Sequence, residues 1–300
     1  MPVDVNRPGP WNHRNLTARG TRFHVALAGP EAPSGSGLLT LLIHGFPECW
    51  WTWRHVIPAL AQAGHRVAAL DLRGFGGSDR PPSGYDLVTL AQDIAAVVRS
   101  LGHERAMVIG AGLGGQVAWA LPHVAPDLTR AIVPVGAPHP LALRSLRSRA
   151  LSGPALQYAS LQIPGLAERR LRSRSALEGL LRSWAGPHTR EAVAEEAPYY
   201  AELLSRPGAA RSALEPLRNL MLSRAETAAL EQPVTVPVLS VQGQLDPVQP
   251  AQAYARDTHH VTGNLHQATI RRSGHFPQEE APAELVRALI PFLADVAPAV

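Results

Sequence analysis

The chain has few of the residues that would place it in a functional class at once. It contains one cysteine, Cys49, which excludes an internal disulfide, a thiolate metal cluster and a secreted disulfide scaffold. Lysine is absent, so all 28 basic side chains are arginine, and the net charge is only +4. Arg144, Arg147, Arg149, Arg169, Arg170, Arg172 and Arg174 gather in one region without interleaved aromatic residues to serve as stacking platforms. They read as solvated helix faces, with a phosphate or membrane patch as the alternative, and nucleic acid is not an expected partner. No run approaches the ~18 apolar residues of a spanning helix, and "MPVDVNRPGPW" lacks the apolar stretch of a signal peptide. The expectation is a cytoplasmic protein with no membrane span. What is present in quantity is hydrophobic residues, 45% of 300, enough for a substantial core in one elaborated domain or two modest ones.

Strand-like and helix-like segments alternate from about residue 20 to 137, the pattern of a mostly parallel sheet covered by helices on both faces. "LLTLLIHG", "HRVAALDL", "RAMVIG" and "RAIVPVG" are the strand runs. In "YDLVTLAQDIAAVVRSLG", Leu90, Ile94, Val97, Val98 and Leu101 repeat at helical spacing before Gly102. Strand signals vanish from Pro138 to Pro233, where arginine- and leucine-rich helical text is broken by Gly-Pro and Pro-Gly pairs. They resume at "VPVLSVQG" and "HQATIRR", and an amphipathic helix over about Ala283 to Leu293 closes the chain. The predicted organisation is a core of residues 1–137 and 234–300 with a helical insertion at 138–233.

The stretch "VIGAGLGGQVAW" reads as strand, glycine turn and helix. Gly110, Gly112 and Gly115 satisfy G-x-G-x-x-G, but a dinucleotide site also needs an acid at the end of the next strand, about 20 residues on. That strand, "RAIVPVGAPHP", ends in glycine, alanine and proline. The other reading is a nucleophile elbow, with Gly110, Gly112 and Gly114 at its small-x-nucleophile-x-small positions. Asp246 and His275 follow in the chain order of that arrangement, and "HGFP" at His44 to Pro47 lies upstream, after a strand.

Taken together, "HGFPECWWTWR", "DLRGFGGSDRP", "VIGAGLGG", "GAPHP", "LDP" around Asp246 and "GHFPQEEAP" around His275 resemble the epoxide hydrolase branch of the α/β-hydrolase family. The resemblance spans about residue 20 to the end. It implies an α/β-hydrolase fold, a cap at 138–233 and a mostly apolar pocket between cap and sheet. Relatives in this branch usually carry an aspartate at the position of Gly112 and a histidine at that of Ala111. Two cap tyrosines commonly hold the epoxide oxygen, and the local match puts Leu217 and Gln157 there, with Tyr158 adjacent to the latter. The nucleophile position is therefore vacant.

What the resemblance leaves is a His275–Asp246 base, able to take a proton from water or substrate, and an oxyanion hole from the amides of Phe46 and Leu113, which needs no side chain at Gly112. His44, Pro47, Trp51, Gln157, Tyr158, Tyr199 and Leu217 are the candidate pocket residues; for the tryptophans and for Tyr199, plain packing is the alternative. The other histidines lack metal-ligand spacing, so neither metal nor cofactor is expected. Three functions stay open: hydrolysis of a small apolar epoxide or ester-like substrate by activated water, a ligand-binding protein without chemistry, and cofactor-free base catalysis such as elimination or cyclisation. The expected partner is a small apolar molecule, and a homodimer is left open.

Overall fold

The computed structural model describes residues 4–31, 38–144, 159–218 and 222–297. Eight strands form one sheet in the order β1-β2-β4-β3-β5-β6-β7-β8. β1 (Asn12–Ala18) and β2 (Thr21–Ala28) make an antiparallel hairpin, and β2 runs antiparallel to β4 (Arg66–Leu70). The rest, β3 (Leu39–Ile43), β5 (Ala106–Ala111), β6 (Thr129–Val135), β7 (Val238–Gly243) and β8 (Leu265–Ile270), is parallel.

Every residue of β3 and of β5 is buried, which is why both read as unbroken apolar runs: a parallel strand in mid-sheet is covered on both faces. α2 (Leu87–Ser100) packs beside α3 (Leu113–Val124), and α1 (Ile57–Gln62) beside the C-terminal helix Pro282–Val296. α2 starts where the Asp86 carboxylate accepts the Thr89 N–H at 2.8 Å, and it buries Leu90, Ile94, Val97 and Val98, the predicted face. β1 was not among the expected strands. Its sequence NHRNLTA lies at the sheet edge and buries only Leu16 and Ala18, so it carries almost no apolar signal.

Between β6 and β7 the described residues hold helices and no strand, from Pro140–Arg144 through Arg224–Glu231. Leu177, Leu181, Leu203 and Leu214 are buried here. Arg169, Arg170, Arg172 and Arg174 are exposed: Arg174 pairs with Glu178 one helical turn on, and Arg172 donates to the Glu168 carbonyl, while Arg147 and Arg149 lie outside the described residues. Among the described residues no helix is long and apolar enough to cross a membrane. The loops that leave the C-terminal ends of β3, β5, β7 and β8 converge, and they carry Gly45, Gly112, Asp246 and His275.

Candidate active site

The turn from β5 into α3 holds Gly112 at φ 48° and ψ −111°, a conformation that costs any other residue strain. Three neighbouring glycines are required by crowding. A Cβ on Gly110 would overlap the Gly114 carbonyl, one on Gly114 would press into the carbonyls of Ile43 and His44, and one on Gly115 would strike the Ala137 Cβ. Gly112 differs. A Cβ there would meet only His275 Nε2 at 3.5 Å and the Gly45 Cα at 3.6 Å, both ordinary contacts. The turn thus has room for a side chain at 112, which glycine does not supply.

Asp246 and His275 come together as expected. One Asp246 oxygen accepts the N–H groups of Val248 at 2.8 Å and Gln249 at 3.1 Å, and the other accepts the Nδ1–H of His275 at 3.0 Å. The side chains are 1% and 7% exposed. This fixes the proton on Nδ1 in the neutral ring and leaves Nε2 directed at Gly112. Burial opposes the imidazolium, but the Asp246 carboxylate outweighs it and holds the His275 pKa above its ordinary value. The His275 backbone N–H donates to the Trp184 carbonyl at 2.9 Å, and the Trp184 indole meets the imidazole edge-on, centroids 5.5 Å apart.

Leu113 is the first residue of α3, where a helix leaves its N–H without an intrahelical acceptor. Phe46 follows Gly45 in the loop that abuts the elbow, ahead of a cis bond to Pro47, which is buried. Neither amide has a hydrogen-bond acceptor among the described residues.

The structure corrects His44. Rather than lining a pocket it is fully buried, with Nδ1–H donating to the Gly45 carbonyl at 2.7 Å and Nε2 accepting the Leu72 N–H at 3.1 Å. Both nitrogens are spent tying the β3 and β4 loops together. Trp51 and Tyr199 pack edge to face at 6.2 Å, with the Arg7 guanidinium over both rings, and the Trp51 Nε1–H donates to Glu196. Leu217 is buried, and its carbonyl accepts from Gln162 Nε2 at 3.3 Å. Gln157 and Tyr158 lie outside the described residues.

Two carboxyl groups that sequence reasoning passed over sit beside the dyad. Glu48 is buried, and burial, reinforced by Glu279, pushes its pKa up to about 8 although Thr52 Oγ1–H (2.5 Å) and Gln278 Nε2–H donate to it. It is therefore mostly uncharged at neutral pH. Glu280 accepts four donors: the N–H groups of Gly186, Gly274 and Phe276 and the Thr189 hydroxyl. It fastens the His275 loop to the helical insertion. The only signal in the sequence was the placing of each acid inside an otherwise informative motif, Glu48 within the largely apolar "HGFPECWWTW". Among the described residues no group of three histidine, cysteine or carboxylate side chains is arranged to hold a metal ion.

A family profile described as alpha/beta hydrolase fold matches residues 41–282. The chain belongs to the α/β-hydrolase family. Its place within the family is the epoxide hydrolase branch: it is 30% identical to Epoxide hydrolase A of Mycobacterium tuberculosis over 95% of this chain and 98% of that protein. A stronger local match, 44% to Epoxide hydrolase B of the same organism, covers 42% of this chain and only 35% of that protein. In three dimensions it is similar to an epoxide hydrolase from an endophytic Streptomyces, with a TM-score of 0.80, 28% identity, and coverage of 96% and 97% of the two chains. Gly112, Asp246 and His275 all lie within the matched span.

Proposed function

We propose that this α/β-hydrolase acts on a small apolar epoxide or ester-like substrate by direct attack of water, without a covalent aspartyl ester. Gly112 stands where the usual aspartate nucleophile would, and one observation carries the reading: His275 Nε2, oriented by Asp246, faces the space which that side chain would fill. A water there gives its proton to Nε2 as its oxygen bonds to the epoxide carbon. The carbon–oxygen bond of the ring breaks, the amides of Phe46 and Leu113 bear the developing charge, and the imidazolium returns the proton to the ring oxygen. Residues 138–233 serve as the cap, supported by the Trp184–His275 backbone bond and the Glu280 clasp. Oxyanion stabilisation and binding retain about 10³–10⁴-fold acceleration in hydrolases stripped of their triad, which sets the scale expected here.

The test is turnover of a panel of aryl and alkyl epoxides and short-chain esters by the native chain, by His275→Ala and by Gly112→Asp. The reading requires native turnover that His275→Ala abolishes; turnover only in Gly112→Asp, or in none, leaves a ligand-binding protein. The same dyad also suits base catalysis without hydrolysis. Oxygen-18 from labelled water enters a hydrolysis product and is absent from a product of elimination or cyclisation.

A further inference from the structure

The space in front of Gly112 is bordered by donors. Leu113 opens a helix of 12 residues, so its free N–H and the positive end of the helix dipole meet there. The Phe46 N–H lies on the loop whose Gly45 Cα would stand 3.6 Å from a Cβ at position 112. An independent observation comes from the loop after β8: His275 is 7% exposed, its Nδ1 is held by Asp246, and its Nε2, 3.5 Å from that same Cβ position, has no hydrogen-bond partner among the described residues. From these we propose that the vacated elbow is a binding site for a monocarboxylate anion, one oxygen taking the Nε2–H of protonated His275 and the other the amides of Leu113 and Phe46.

The charges around the site agree with a single negative charge. The imidazolium and the Asp246 carboxylate together are neutral, so an anion is drawn by the N–H donors rather than by net charge, and one negative charge is met more readily than the ~1.5–2 of phosphate. Asp246 faces the opposite edge of the ring and is occupied by Nδ1–H. Burial keeps the nearby Glu48 mostly protonated at neutral pH, while the field of Glu280, which also reaches His275, is a cost that the three donors of the site must exceed. Neutral His275 presents a lone pair at Nε2, so seating a carboxylate takes up one proton. Affinity accordingly falls about tenfold per pH unit above the His275 pKa.

This inference rests on the reading of His275 as the working base at the elbow, but its test needs no turnover. The full chain with ¹⁵N-labelled histidine is titrated with sodium acetate at constant ionic strength, with acetamide as the neutral isostere, and the His275 ring nitrogens are followed against pH. Saturable elevation of the His275 pKa by acetate and none by acetamide is expected. Gly112→Asp, whose own carboxylate takes the place, should not respond to acetate. An unmoved His275 pKa in acetate, or an equal response to acetamide, overturns the proposal, and that contrast stands on the native chain even if the variant does not fold. Octanoate separates two sources of the ligand: binding at least tenfold tighter than acetate identifies the headgroup of a longer substrate, and equal binding identifies a free small acid. Acetate binding without turnover of the epoxide panel sinks the hydrolase reading alone; turnover without acetate binding sinks this one alone.

Discussion

Replacing Asp246 by asparagine tests the dyad at the level of a single proton. One oxygen of Asp246 accepts two backbone N–H groups, from Val248 and Gln249, and the other accepts the Nδ1–H of His275. An asparagine has one acceptor atom for these three donors. Turning its oxygen to the backbone keeps two hydrogen bonds and points its NH₂ at His275; the reverse keeps one and sets the NH₂ against two N–H groups. The first arrangement wins, by roughly the 1–3 kcal/mol that an unsatisfied buried donor costs. Nδ1 must then become the acceptor, which moves the proton of the neutral ring to Nε2, where it can no longer take one from water. Turnover should fall by about 10³–10⁴-fold through the loss of the working tautomer, with little change in KM. The His275 pKa should drop, because the two strongest influences that raise it both come from the Asp246 carboxylate, and burial is then opposed only by the weaker fields of Glu48 and Glu280. Nitrogen-15 chemical shifts of the His275 ring report tautomer and pKa without a substrate. An Asp246→Asn protein whose His275 keeps its proton on Nδ1, or which retains turnover within tenfold of native, refutes the reasoning.

Other perturbations probe the supporting groups. Glu48 holds its proton in the folded state up to about pH 8 but loses it near pH 4.5 when unfolded, so its contribution to stability is complete below pH 4.5 and declines as pH rises to about 8. Glu48→Gln should therefore gain on the native chain across that window by about 3–5 kcal/mol, read from denaturant midpoints between pH 5 and 9, and a parallel pair of curves contradicts the assignment. Glu280→Gln puts an NH₂ against at least one of four donors and should cost about 1–3 kcal/mol of stability; an unchanged midpoint shows that the clasp is not needed. His275 itself, with its pKa raised on folding, stabilises the fold most below its ordinary pKa of 6.5, and that contribution disappears as pH passes the folded value. His275→Ala should flatten this part of the pH–stability profile, and an identical profile would falsify the Asp246 pairing in solution. Gly112→Ala should cost about 1–3 kcal/mol from backbone strain alone, and Gly114→Ala or Gly115→Ala more, because their Cβ atoms meet fixed backbone or a packed methyl group; equal costs at all three would remove the distinction drawn at the elbow.

The parallel half of the sheet was legible because burial on both faces leaves a plain trace in the sequence. "RAMVIG" and "RAIVPVG" become β5 and β6 with ends shifted by a residue, and the dyad follows from loops that leave β7 and β8. β1 escaped because an edge strand needs few apolar residues, and its hairpin turn places Arg19 and Gly20 at φ 49° and 72° without the Asn-Gly or Asp-Gly pair that would announce it. His44 was misjudged for a different reason. A histidine in a loop beside an oxyanion site looks available, and only the fold reveals that two backbone partners consume both of its nitrogens. Glu48 and Glu280 owe their parts to donors brought from distant segments, Gln278 for the first and Gly186 and Thr189 for the second, and no local spacing encodes such convergence.

Gly112 also differs from its neighbouring glycines in what the fold asks of it. The glycines around the turn answer to packing: Gly110, Gly114 and Gly115 let α3 lie against β3, β5 and β6, and none can change without moving backbone or core. A Cβ added at 112 would instead point toward His275 and meet only ordinary contacts. With glycine there the His275–Asp246 pair still stands, since it is held by Val248, Gln249, Trp184 and the Glu280-bound loop, and the amides of Leu113 and Phe46 belong to the main chain. A side chain at position 112 is thus something the packing of the turn does not depend on. In the function proposed above, its absence closes a covalent route and leaves the base and the donors on which an activated water or a bound carboxylate would rely.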